Sequence, residues 1–64
     1  MENWISVEEQ MPTKDETVLV YRGDLISVYT YMGNDEWEDA YGYWGRTEDE
    51  FITHWMSLPE PPMC

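Results

Sequence analysis

Apolar and polar positions alternate most regularly in the middle of the chain. Thr17–Tyr21 (TVLVY) and Leu25–Met32 (LISVYTYM) are rich in β-branched and aromatic residues. Such residues suit a pleated, half-buried surface, so both segments are predicted strands. Arg22-Gly23-Asp24 between them reads as a turn. A two-residue Gly23-Asp24 loop sets Tyr21 opposite Ile26, Leu19 opposite Val28 and Val18 opposite Tyr29. Apolar residues then lie on both faces of the hairpin. One face is expected to pack on the rest of the chain, and the other to be partly covered or available.

The flanking segments are shorter. Asn3-Trp4-Ile5 reads as a short strand or anchor. Ser6-Val7-Glu8-Glu9 matches a capping box, which predicts one helical turn over Val7–Gln10. Met11-Pro12 ends that turn, because a residue before proline is pushed out of the helical region. Gly33–Asp39 is polar apart from Trp37 and reads as a loop. Tyr41–Gly45 is either a short strand or an irregular aromatic loop. Arg46–Glu50 is a second acidic connection, and Phe51–Met56 (FITHWM) is a further strand. Pro59, Pro61 and Pro62 favour an extended tail on the surface. The expected fold class is α+β. It comprises a small antiparallel sheet of three to four strands around a central hairpin 17–32, one short N-terminal helical turn, and a Pro-rich extended C-terminal tail. The 64 residues allow a single domain, 1–64.

Charge narrows the partners more than the fold does. Fourteen acidic residues face three basic ones (Lys14, Arg22 and Arg46), a formal net charge of −11. Nucleic acid and anionic membrane are polyanions, so neither is an expected direct partner. There is no apolar run of membrane-spanning length and no signal-peptide pattern, and the single Cys64 fits a reducing compartment; the expected location is cytoplasmic. Four Trp, five Tyr and one Phe must fill much of a small core. A homodimer that shares aromatic surface is a second outcome of the same composition.

Enzymatic chemistry finds little support. His54 is the only histidine, and no serine sits in a nucleophile motif. A structural histidine at a sheet edge is the plainer reading. Asp35, Glu36, Glu38 and Asp39 are the best hard-cation candidates, but the spacing of a calcium-binding loop is absent. No catalytic, cofactor or metal site is assigned, and the protein is not expected to be an enzyme. The residues expected to face a partner are instead the carboxylates of Asp35, Glu36, Glu38, Asp39, Glu48, Asp49 and Glu50. The aromatics Trp37, Tyr41, Tyr43 and Trp44 are expected beside them, with core packing as their plain alternative. If extended, Glu36/Glu38 and Glu48/Glu50 set carboxylates about 6.6 Å apart on one face. That is near the phosphate spacing of a nucleic-acid strand. The sharp reading is a charge mimic that occupies a basic, nucleic-acid-binding groove of another protein. The plain reading is solubility through self-repulsion.

Both ends of the chain carry a recognisable pattern. Trp4-Ile5-Ser6-Val7-Glu8-Glu9-Gln10-Met11-Pro12, the Val18-Leu19-Val20 strand, and Thr53-His54-Trp55-Met56-Ser57-Leu58-Pro59-Glu60-Pro61-Pro62 resemble the phage and prophage family known as domain of unknown function 551. Met11 stands where the family usually has Leu, and Ser57 where Pro is common. The resemblance implies a phage or bacterial origin and a small α+β domain, with no assigned activity. The His54-Trp55 pair of that pattern could be a site; we read it instead as the last strand locking onto the Trp4 segment, with the Pro-rich tail covering the aromatics. By analogy of context, a small acidic phage protein is expected to bind and block or modulate a host protein, anti-CRISPR inhibitors included. The alternative is a structural or accessory module whose acidity serves solubility alone.

Overall fold

The structure is a computed structural model that describes residues 3–59. Six strands form one antiparallel sheet: β1 (Ile5–Ser6), β2 (Thr17–Arg22), β3 (Leu25–Gly33), β4 (Glu36–Glu38), β5 (Trp44–Arg46) and β6 (Ile52–Ser57). Their spatial order is β1-β6-β2-β3-β4-β5. The hairpin of β2 and β3 stands at the centre in the expected register. Tyr21 pairs with Ile26, Leu19 with Val28 and Val18 with Tyr29. Gly23 (φ 61°) is the residue of its two-residue loop with positive φ. Glycine in that first position gives a turn whose twist matches the strands.

The α+β expectation is overturned: the described residues form an all-β fold with no helix. The expected capping box forms only in part, because the Ser6 hydroxyl serves the Glu8 amide rather than the Glu9 amide. The Glu8 amide donates to the Ser6 hydroxyl at 3.2 Å, and the Glu9 and Gln10 amides donate to the Ser6 carbonyl at 3.0 and 3.1 Å. Residues 7–9 nevertheless stay a turn. A helix needs several residues beyond its costly first turn. Met11 and the buried Pro12 arrive too soon to supply them.

The strand count is also higher than the three to four expected, because the two segments left open at residues 3–5 and 41–45 each contribute a short strand and the loop expected over Gly33–Asp39 contains β4. Trp37 sits between two glutamates and pairs with Tyr31 on one side and Gly45 on the other. Its side chain is 0% exposed, while Glu36 and Glu38 point the other way. A two-residue turn makes this possible. Asn34 (φ 54°) and Asp35 (φ 66°) are both left-handed, as a primed hairpin turn requires. The last strand starts at Ile52 rather than Phe51. Of the expected Pro-rich tail, residues 60–64 lie outside the described residues.

One face of the sheet is the inside. Val18, Val20, Tyr29, Tyr31, Trp37, Ile52 and Trp55 form its buried core, with Ile5, Val7 and Met11 packed against them. Two irregular segments cross this face. Residues 7–16 run beneath β6, where Trp55 Nε1 donates to the Gln10 carbonyl at 2.8 Å. They then join β3 through the Asp15 and Tyr31 amides, which donate to the Tyr31 and Glu16 carbonyls at 2.6 and 2.9 Å. Residues 47–51 connect β5, at one edge, to β6, beyond β2. The Thr47 amide donates to the Asp35 carbonyl, the Gly23 amide to the Phe51 carbonyl, and the Ile52 amide to the Thr47 carbonyl, at 3.0–3.2 Å. So short a link reaches both hairpin turns only if the sheet is coiled and its corners drawn together. A Cβ at Gly45 would run into the Glu50 side chain, which shows how closely the link lies against β5.

Inside the coil, Trp37 Nε1 donates to the Thr47 hydroxyl at 2.7 Å, and that hydroxyl donates to the Asp35 carboxylate. Thr47→Val removes the acceptor of a buried indole N–H. It is expected to lower unfolding free energy by about 1–3 kcal/mol in urea titration, whereas Thr47→Ser holds most of it. Equal losses in both variants would show that the bond chain carries no weight. Phe51 is 69% exposed and sits at φ 59°, where a bulky side chain is strained. Phe51→Gly releases about 1–2 kcal/mol of that strain, partly offset by the entropy of glycine. Its thermal midpoint should therefore rise by a few degrees; a fall would show that the Phe51 ring packs in solution.

Candidate functional site

The acidic residues singled out from sequence divide into two kinds. Three are engaged in hydrogen bonds within the molecule. Asp35 accepts from Thr47 through its carboxylate. Asp39 Oδ1 accepts from the Tyr41 and Tyr43 amides at 2.8 and 3.0 Å and so shapes the β4–β5 loop. Glu50 Oε1 accepts from the Tyr29 hydroxyl at 2.9 Å and lies 3.5 Å from the Arg22 guanidinium. The expected extended Glu48/Glu50 pair is therefore absent. Residues 47–51 are a turn, and Glu50 faces inward. Glu36 and Glu38 do share one face, because β4 is a strand. Glu48 and Asp49 are exposed.

The aromatic residues divide in the same way. Trp37 is wholly buried, so for it core packing is the outcome. Tyr41, Tyr43 and Trp44 are 85%, 74% and 55% exposed on the β4–β5 hairpin. Trp44 pairs directly with Glu38, and Arg46 with Glu36. What remains outward-facing is an aromatic hairpin with Glu36 and Glu38 on its strand and Glu48 and Asp49 on the following turn. A cleft of about 640 Å³ separates the 6–11 segment from the 47–54 segment, and the carboxylates of Glu8, Asp35 and Glu48 line it. Among the described residues, no group of three or more His, Cys, Asp or Glu is placed to hold a metal ion. No helix among them is long and apolar enough to cross a membrane.

A second surface escaped the candidate residues. The outer positions of β2, β3 and β6 include Leu19, Tyr21, Ile26, Val28, His54 and Met56, with Ile26 and Val28 at 59% and 44% exposure, beside the hydrogen-bonded hydroxyls of Thr17 and Thr30. The signal for it was already present in a hairpin apolar on both faces. His54 stands beside Trp4 on this surface, because β1 pairs with β6 through Ile5–Trp55 and Ser6–His54.

The model of the family described as "Protein of unknown function (DUF551)" matches residues 3–63. The chain belongs to this family. It is also similar to the Eaa protein of Salmonella phage P22, with 31% identity over 62 residues. That match covers 94% of this chain but 20% of the phage protein, so the chain spans about a fifth of that relative's length. No solved structure matches. The family is thus phage-associated.

The inward carboxylate gives the molecule an alkaline limit. Burial raises the Tyr29 pKa above the usual 10.0; its bond to Glu50 and the charge of Glu50 raise it further, while Arg22 opposes them. A phenol with a raised pKa contributes stability that is complete below the ordinary tyrosine pKa. That stability is lost as pH climbs through the raised value. Denaturant midpoints should therefore fall on the alkaline side of pH 10, and Tyr29→Phe should flatten the fall. An equally steep decline in Tyr29→Phe would move the cause elsewhere.

Proposed function

We propose that the protein is a non-catalytic, phage-associated binding module that engages a host protein at a basic, nucleic-acid-binding surface. The observation that carries this reading is the β4–β5 hairpin. In a chain short of core, Tyr41, Tyr43 and Trp44 are left outside, at 85%, 74% and 55% exposure. Tyrosine and tryptophan anchor protein interfaces, because they bury large area at low conformational cost. Glu36, Glu38, Glu48 and Asp49 frame the hairpin and have no salt-bridge partner among the described residues. Together with the net charge of −11, they favour a positive counter-surface and speed its approach. A groove occupied in this way is closed to nucleic acid, which is how such a module would block or modulate a host factor, anti-defence roles included.

The test uses immobilised protein and the lysate of a bacterial host, with bound proteins identified at low and at high salt. Nucleic-acid-binding proteins should be retained at low salt, and retention should fall steeply as salt rises. A Tyr41→Ser/Tyr43→Ser/Trp44→Ser variant and a Glu36→Gln/Glu38→Gln/Glu48→Gln/Asp49→Asn variant should each lose them. Retention that ignores both salt and these substitutions would sink the reading. The apolar outer face of β2 and β3 favours a second reading, a self-associating structural or accessory module. A strict monomer in sedimentation at high salt, where charge repulsion is screened, would remove it.

A further inference from the structure

Three rings meet on the outer face. Tyr21 lies between Trp4 (centroids 6.1 Å apart, planes at 58°) and His54 (6.4 Å, 66°). Ile26 completes the wall of a cleft of about 360 Å³. That volume is at the low end for ligand sites, which run from about 300 to 1,000 Å³, and suits one long side chain. Neither angle is that of a stack. The Tyr21–His54 pair meets edge to face, which covers one face of one ring only, and the tilted Trp4–Tyr21 pair leaves ring faces partly open toward the space between them. Such a corner attracts a cation.

Among the described residues, no Lys or Arg lines the cleft to repel a positive occupant. The Thr53 hydroxyl donates to the Tyr21 carbonyl at 3.4 Å and lies 3.0 Å from His54 Nδ1. A flat donor laid against an open ring face matches a guanidinium better than an ammonium, which is compact and strongly hydrated. The molecule makes the same contact on its other face, where the Arg22 guanidinium lies 5.7 Å from the Tyr29 ring centroid. The net charge of −11 concentrates cations near every open surface of the chain.

We infer that the Trp4–Tyr21–His54 cleft is a docking site for an arginine side chain of a protein partner. This rests on the reading of the protein as a module for basic surfaces, and it adds a second anchor on the face beside the aromatic hairpin. The arginine enters between Trp4 and Tyr21, stacks on the Tyr21 ring, and lays its alkyl stem along Ile26.

The experiment titrates isotope-labelled protein with the blocked tripeptides acetyl-Gly-Arg-Gly-amide, its lysine counterpart, and its citrulline counterpart, which keeps the shape and lacks the charge. At moderate salt, the arginine peptide should give saturable shifts at the Trp4 indole and at the Tyr21 and His54 rings. The citrulline peptide should bind about fivefold or more weakly, and the lysine peptide at an intermediate level. Trp4→Leu and Tyr21→Leu should each weaken the arginine peptide by about 2- to 5-fold, while Tyr21→Phe, which keeps the ring, should hold its affinity. Backbone amide spectra report whether each variant is folded, and Tyr21→Phe carries the comparison if Tyr21→Leu is not. Citrulline binding equal to arginine, or shifts confined to the acidic loops, would overturn the assignment. So would lysine binding as tight as arginine. The two proposals fail separately. If Trp4→Leu still retains basic host proteins with full salt dependence, the cleft is dispensable and the aromatic hairpin stands. If the arginine peptide binds while no basic protein is retained through the hairpin, the cleft stands and the wider reading falls.

Discussion

The indole N–H of Trp37 is the constraint on which the rest of the structure turns. The side chain is fully buried in the middle of the coil, where an unpaired donor is costly. Its partner is Thr47, from the link that follows β5, and the Thr47 hydroxyl is in turn held by Asp35 from the turn that precedes β4. One bond chain thus ties the ends of the β4–β5 hairpin to each other and sets the link against the inner face. Once Thr47 is placed, the remaining positions follow. Glu50 falls beside Tyr29 and Arg22, Phe51 is forced into a left-handed conformation, and Ile52 enters β6 beside Arg22.

The same chain explains how so acidic a molecule tolerates carboxylates next to its core. With three basic residues for fourteen acidic ones, pairing by salt bridges is not available. A single pair, Arg22 with Glu50, is formed among the described residues. Hydroxyls and backbone amides take the place of cations. Thr47 serves Asp35, the amides of Tyr41 and Tyr43 serve Asp39, Tyr29 serves Glu50, and the Thr13 amide serves Glu16. These bonds fix turns rather than neutralise charge. Acidity here is therefore partly architecture, and only the remaining carboxylates are free to meet a partner.

The central hairpin was legible because its pattern, its turn and its register all depend on neighbours in sequence. The register of Val18 with Tyr29 needed nothing but a two-residue loop. β4 was not legible, because three residues show too little alternation and the left-handed Asn34-Asp35 turn precedes a segment that is polar apart from Trp37. The Val7–Gln10 helix was misread for a related reason: its cap forms in part, yet capping cannot make a helix where proline stops it after one turn. The placement of the candidate carboxylates was not legible either, since no spacing rule tells that Glu50 turns toward Tyr29 while Glu48 and Asp49 stay out. That depends on a link spanning from β5 to β6, a contact between strands far apart in the sheet.

A single coiled sheet has one inside. The two segments that cross it, 7–16 and 47–51, both lie on the inner face, and neither returns over the outer one. Leu19, Tyr21, Ile26, Val28 and Met56 are therefore left facing outward by topology rather than by chance placement of apolar residues. The net charge argues against two such faces meeting, because each copy brings −11 to the interface. On the proposed reading, a positively charged partner would remove that penalty and cover the face at once, so the apolar outer face and the acidity would serve one occupant rather than stand as competing explanations.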